Sequence, residues 1–169
     1  PTYLAHQAAE GMGPARSAVA AAAGSLVRWL PTSYDNVSRD YQLKRFVAGL
    51  PAPLARRAAI WLGAFLPGEI REVLGSDVAD DRLFEAHDRH VAEFPGADPV
   101  TTAQYLDLRT YMGDGILSKV DRASMACSVE VRVPLLDHRV AELAFRMPLS
   151  MRRELLWGKI ALRRLMHRR

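Results

Sequence analysis

The sequence predicts a mainly α-helical chain with no run of alternating strands from which to build a sheet. Apolar residues recur at spacings of three and four almost throughout. Residues 2–29 are rich in alanine and other helix formers. Proline and glycine fall mostly between the periodic runs, where they start and stop helices. If the chain is part of an α/β protein, its parallel sheet lies upstream.

Gly11, Gly13 and Pro14 divide residues 2–29 into two helical pieces. Pro31 to Asn36 reads as a loop, and Asn36 is placed to cap a helix running to about Gly49. Pro51 and Pro53 open the next helix, through Trp61 to Leu66, and Pro67 begins a short one ending at Leu74. Asp80 or Asp81 starts a charged helix that Pro95-Gly96 ends. Asp98-Pro99 pairs an N-cap with proline in the first turn, and that helix reaches Tyr111 or Met112. Gly113-Asp114-Gly115 is expected to interrupt it before a second helix to about Ser128. Val129 to Leu136, with Val131, Val133 and Pro134, favours an extended segment. Asp137 caps a helix whose apolar face is Val140, Leu143, Ala144 and Met147, ended by Pro148. Trp157 to Arg169 reads as the last helix. This partitions the chain into a helical scaffold, 1–97, and motif-bearing helices, 98–169. Trp29, Trp61, Phe65 and Phe84 are expected in the core.

The 169 residues suffice for one domain with a core, and their composition is that of a folded soluble chain. The net charge of +4 suits anionic substrates but does not demand nucleic acid. The basic residues Arg152, Arg153, Lys159, Arg163, Arg164, Arg168 and Arg169 cluster late, as on a solvated helix face. Lys159, Arg163 and His167 share one side of the last helix and could follow phosphates, but a surface helix explains them equally well. The single cysteine, Cys127, cannot form an internal disulfide. It points to a reducing, cytoplasmic setting and reads as a buried packing thiol. The longest apolar stretch, Ser17 to Leu30, is too short and too interrupted to span a membrane. The chain starts at Pro1 and ends within a helical pattern, so a larger parent polypeptide is expected.

The informative region is Lys119 to Asp137. On a helical wheel Ile116, Val120, Ala123 and Cys127 make an apolar face, and Asp121, Ser124 and Ser128 a polar stripe. Lys119, Asp121 and Arg122 have no opposite charge three or four residues away. If the helix is buried, tertiary partners or a ligand must satisfy them. Glu130, Arg132 and Asp137 are candidates for structural ion pairs, since a guanidinium fork holds two carboxylate oxygens.

The run from Ser118 to Val140 resembles the C-terminal motif of the asparagine synthetase family, close to KVDR-x-SMA-x-S-x-E-x-RVP-x-LD. It matches from Lys119-Val120-Asp121-Arg122 through Ser124, Met125, Ala126, Ser128, Glu130 and Arg132-Val133-Pro134 to Leu136-Asp137. Tyr105 to Met112 resembles the approach to that motif, and Gly158-Lys159 to Arg164 its GK-x-x-LR element. The opening PTYL resembles residues after the family's GDE-x-FGGY loop. Leu135 stands where phenylalanine is common, Cys127 where histidine is frequent, and Val131 replaces a usual alanine. These departures fit a divergent paralogue as well as an asparagine synthetase.

The resemblance implies the helical C-terminal portion of an α/β adenine-nucleotide α-hydrolase-like (ATP pyrophosphatase) domain. The parent would activate aspartate with ATP as an acyl-adenylate, release pyrophosphate, and form the amide with ammonia drawn from glutamine. ATP and Mg2+ are cofactors of that parent, with none assigned to this chain. By resemblance Lys119, Asp121, Arg122 and Ser124 line the active-site wall. Val120, Met125, Val129, Glu130, Val131, Val133 and Leu136, with Asp121, line the end of an ammonia tunnel. No catalytic residue and no metal ligand is assigned. The phosphate-binding SGG-x-DS loop does not occur here and is expected upstream, as are the sheet and a glutaminase domain, so the isolated chain is expected to be inactive. The expected partners are those missing parts and the small substrates aspartate, ATP and ammonia. No nucleic acid or membrane is expected, and homodimerisation is left open. A β-lactam synthetase-like or peptide-tailoring amide ligase on the same scaffold, and a non-catalytic helical interaction module, are the alternatives.

Overall fold

The computed structural model describes residues 2–27, 29, 38–154 and 157–167. The expected loop from Pro31 to Asn36, the Asn36 cap, and Arg168 and Arg169 lie outside them. The chain is mainly helical, and the sheet among the described residues is a pair of two-residue strands. It divides into two compact units with their boundary between Asp114 and Gly115, later in the chain than the 97/98 partition drawn from sequence.

Residues 2–114 contain α1 (Thr2–Gly11), α2 (Ala15–Val27), α3 (Arg39–Gly49), α4 (Leu54–Leu62), α5 (Pro67–Leu74), α6 (Asp80–Glu93) and α7 (Pro99–Asp107). Ser38 caps α3, its hydroxyl accepting from the Tyr41 N–H at 3.4 Å. Glu69 accepts from the Leu66 N–H at 2.6 Å to open α5 behind Pro67, and Gly75, with φ of 61°, closes that helix. Asp98 accepts from the N–H groups of Val100 and Thr101 at 3.0 and 3.1 Å, ahead of Pro99.

Helix α4 is the hub, packing on α3, α6 and α7, while α1 lies against α7. Leu50, Ala55, Ala58, Ile60, Phe84, Val100, Ala103 and Leu106 form the buried apolar core. Phe84 takes its expected core place, whereas Trp29 and Phe65 are exposed and Trp61 is half-buried. Helix α4 also ends earlier than expected, at Leu62 instead of Leu66. Arg45, buried in α3, donates to the carbonyls of Ile60, at 2.8 Å, and Ala64. Carbonyls at the end of α4 therefore answer to a cation and not to a further turn of helix.

Trp61 is clamped. Its indole N–H donates to the Phe46 carbonyl at 3.2 Å, and its ring stacks on Phe46 at 5.3 Å and tilts against His6 at 4.5 Å. The fully buried Arg57 sits over the ring at 5.6 Å and donates through Nε to His6 Nδ1 at 3.3 Å. Arg57 also forms an ion pair with Glu10. One helix further along, the Tyr3 hydroxyl donates to Asp107. Burial pushes both of those groups up from their ordinary values.

Residues 115–169 contain α8 (Ser118–Met125), a 3-10 turn (Pro134–Leu136), α9 (His138–Arg146), α10 (Leu149–Arg152), the strands β1 (Arg153–Glu154) and β2 (Trp157–Gly158), and α11 (Ile160–His167). The boundary falls inside a π-helix, Leu108–Leu117. No break occurs at Gly113-Asp114-Gly115, contrary to expectation. The glycines admit a wide turn: a Cβ on Gly113 would press on the Leu108 carbonyl at 3.3 Å. Thr110 adds to the distortion, its hydroxyl donating to the Leu106 carbonyl at 2.8 Å. Val129 to Val133 is irregular and forms no strand. The last helix begins at Ile160, not Trp157, because Trp157 and Gly158 pair antiparallel with Glu154 and Arg153.

Two predictions follow from the clamp on Trp61. Glycine to alanine inside a helix ordinarily stabilises by about 1 kcal/mol. At Gly49 the added Cβ would collide with the Trp61 indole, its Cδ1 lying 2.7 Å away. Gly49→Ala is therefore expected to destabilise, by about 1–3 kcal/mol in urea unfolding. His6 gives the second. Burial, then the neighbouring Arg57 charge, pushes its imidazole from 6.5 down to about 4. Between pH 6.5 and 4 the unfolded chain binds the proton and the folded chain does not, so stability declines as pH falls through that window and levels off below it. His6→Asn, which keeps an acceptor for Arg57, should flatten that slope in unfolding curves measured across the window.

Candidate functional site

The segment from Lys119 to Asp137 lies within residues 115–169, and its side chains are largely in solvent. Helix α8 has no buried residue. Val120, Ser124, Leu136 and Asp137 are half-buried; Lys119, Asp121, Arg122, Met125, Val129, Glu130, Val131, Arg132 and Val133 are exposed. Cys127 is exposed too, which corrects its reading as a buried packing thiol. The apolar wheel face fails for two reasons. Ala123 and Cys127 face solvent, and Ile116 belongs to the π-helix, where the α-helical angle between residues does not hold.

Lys119, Asp121 and Arg122 form no ion pair with any described residue. Ser124 is engaged locally, its hydroxyl donating to the Asp121 carbonyl at 3.1 Å. A cation, a carboxylate and a second cation thus sit within four residues of one helix with their charged ends available. Such a set can hold phosphate or carboxylate groups through the cations and an ammonium through the acid.

Beyond the helix, Glu130 and Arg132 pair at 2.6 Å, both largely exposed. Asp137 is not part of that pair. Its carboxylate accepts from the Arg139 guanidinium at 3.0 and 2.9 Å and from the Arg139 N–H at 2.9 Å, and so caps α9. The Arg139 guanidinium holds the Asp137 carboxyl below the usual carboxylate range. These are surface pairs that shape a turn, not a buried network.

The end of α8 is fixed by backbone. Ser128 has φ of 57°, in the left-handed region. Its N–H donates to the Met125 carbonyl at 2.9 Å, and the Val129 N–H reaches back to Ser124 at 3.0 Å. This is a Schellman closure with serine where glycine is usual. A second left-handed residue, Lys159, with φ of 59°, precedes α11. There Arg163 stacks on Trp157 at 5.0 Å and donates to the Gly158 carbonyl at 3.2 Å, so this member of the late basic cluster is tied to its own turn.

A half-open cavity of about 150 Å3 lies among residues 2–114, lined by Ala58, Leu62, His87, Leu106, Asp107 and Tyr111 among others. Burial lowers the pKa of His87. Sequence spacing pointed neither to this cavity nor to the Arg57 cluster. The partners Tyr3 and Asp107, and His6 and Arg57, are far apart in the chain, and only the helix packing joins them. Among the described residues no group of His, Cys, Asp or Glu is placed to hold a metal ion, and no helix is long and apolar enough to cross a membrane.

The profile of the asparagine synthase family matches residues 4–169. A protein of Mycobacterium bovis provisionally named an asparagine synthetase (glutamine-hydrolyzing) is 38% identical over 101 residues, which are 60% of this chain and 16% of that protein. A Mycobacterium tuberculosis protein of the same name gives the same figures. Asparagine synthetase (glutamine-hydrolyzing) 1 of Bacillus subtilis is 43% identical over 49 residues, 29% of this chain and 8% of that protein. The aligned stretch is thus a small part of each relative. No solved structure matches.

The Schellman closure yields a prediction. A side chain in the left-handed region costs about 1–2 kcal/mol that glycine does not incur, offset in part by the entropy of a free glycine. Ser128→Gly should slow hydrogen exchange of the Val129 amide by roughly 2- to 5-fold, and Ser128→Val should speed it.

Proposed function

The chain belongs to the asparagine synthase family, matched over residues 4–169, and from that premise we propose that it is the helical C-terminal part of the synthetase half of an ATP-dependent ligase making asparagine from aspartate. In this reading the parent activates the aspartate side-chain carboxylate as an acyl-adenylate, releasing pyrophosphate. Ammonia released from glutamine then displaces AMP and leaves the amide. The carrying observation is the motif itself: Lys119, Asp121 and Arg122 present charged ends on one helix with no protein partner among the described residues.

Residues with those properties suit a site whose ligand is itself charged. Lys119 and Arg122 would meet anionic groups of the substrates, and Asp121 a cationic one. The apolar side chains of Val120, Met125, Val129, Val131, Val133 and Leu136, with Glu130 among them, would line the passage by which uncharged ammonia arrives. Its need to stay unprotonated favours a sparsely polar wall. In this reading the Mg2+ and the ATP phosphates would be held by the SGG-x-DS loop that the family resemblance places upstream in the parent. A cytoplasmic location belongs to the same reading.

The test uses the polypeptide encoded by the whole reading frame. It should form AMP and pyrophosphate from ATP only when aspartate is present, and asparagine when glutamine or ammonium is added. The 169-residue chain alone should form neither. Lys119→Ala in the whole polypeptide should lower pyrophosphate release by about 100-fold while leaving the unliganded thermal midpoint in place. Cyclisation of an amine-bearing substrate in place of asparagine formation would move the assignment to a β-lactam synthetase-like ligase. Absence of any ATP turnover would sink the ligase reading.

A further inference from the structure

The half-open cavity among residues 2–114 has about the volume, 150 Å3, at which an apolar cavity holds a benzene ring. Ala58 and Leu62 of α4 and Leu106 of α7 give it apolar walls, and no lysine or arginine lines it. Its charged wall is Asp107. Oδ2 of that carboxyl receives the Tyr3 hydroxyl, and Oδ1 accepts from no described residue. Asp107 forms no ion pair among the described residues; Arg109, two positions on, is turned to Glu93 at 3.9 Å. Burial pushes the half-buried Asp107 carboxyl up, as expected of an acid that lacks an opposite charge. Two further acceptors line the same space. His87 makes no hydrogen bond to a described residue, and burial, then the neighbouring His90, lowers its pKa, so the ring is neutral and keeps one acceptor nitrogen. The Thr110 hydroxyl donates to the Leu106 carbonyl at 2.8 Å, which leaves its oxygen able to accept.

We propose that this cavity binds a small primary ammonium ion carried on an apolar body about the size of a benzene ring. An ammonium group brings one positive charge and three N–H donors. The charge answers the Asp107 carboxylate, and the donors suit Asp107, His87 and Thr110. The apolar body displaces water from the Ala58, Leu62 and Leu106 walls. Anions are disfavoured, because a carboxylate or phosphate would meet Asp107 with no cation in the wall to offset it. Aspartate, with two carboxylates, and ATP are therefore unsuited to this cavity. The inference goes beyond the proposed function and does not rest on it.

The test uses the polypeptide of the whole reading frame and three probes of similar shape: 4-fluorobenzylamine, 4-fluorobenzyl alcohol and 4-fluorobenzoate. Each is titrated without ATP or aspartate, and binding is read from the fluorine NMR line. The amine, an ammonium ion at pH 7, should bind saturably and about 10-fold or more tighter than the alcohol, with the benzoate weakest. Asp107→Asn keeps an acceptor for Tyr3 and should bring the amine down to the level of the alcohol. Leu62→Trp, at a partly exposed wall position, should fill the cavity and remove binding of both. Thermal midpoints establish that each variant is folded, and the probe series stands even if one variant is not. Failure of the amine to bind overturns the proposal, as does equal binding of the three probes. Amine binding that survives in both folded variants places the probe elsewhere and overturns it too. Because no arm requires turnover, an inactive polypeptide would defeat the ligase reading without touching this one.

Discussion

The fully buried guanidinium of Arg57 is the constraint on which the organisation of residues 2–114 depends. A cation with no exposed surface needs an opposite charge and polar or aromatic partners close by. It is met by Glu10 and the His6 ring from α1 and by the Trp61 face from its own helix. Those contacts tie α1 to α4 and hold Trp61 against Gly49 and Phe46 of α3. Arg45 acts in parallel at the far end of α4, where its guanidinium holds two carbonyls. The hub helix is thus anchored by cations at its middle and its end, and the apolar core fills the space between those anchors.

The two units solve the same problem differently. Residues 2–114 bury an apolar core and hold their two buried arginines through contacts within the unit, although Nε of Arg45 and Nη1 of Arg57 have no hydrogen-bond partner among the described residues. Residues 115–169 keep secondary structure through local devices: the Asp137 cap, the Schellman closure at Ser128, and the turn that stacks Arg163 on Trp157. Local devices order a backbone without requiring a core, which is why the motif has a defined course while its side chains remain open to solvent.

The helices were legible where a single residue type sets a boundary. Asp98-Pro99, Pro67 and Asp137 marked ends correctly because capping and φ restriction act over one turn. Boundaries set from a distance were not legible. Arg45 ends α4 from another helix, and Thr110 with the glycines widens a turn that looked like a break. The family was legible because the motif is a contiguous string. The surroundings of that string were not, since burial depends on what lies across from it. Cys127, Trp29 and Phe65 were placed inside on side-chain type alone, and solvent is where they stand.

The π-helix at Leu108–Leu117 has a bearing on how related sequences are compared. A π turn closes one residue later than an α turn, so the segment carries surplus chain inside an uninterrupted spiral. Residue count is then no measure of angular position between Pro99 and Met125. A relative that lacked one residue there could restore an ordinary α turn without opening a loop, and an ungapped alignment through the region would pair side chains that point in different directions. Gaps near Gly113 and Gly115 are therefore changes of phase, not changes of connection.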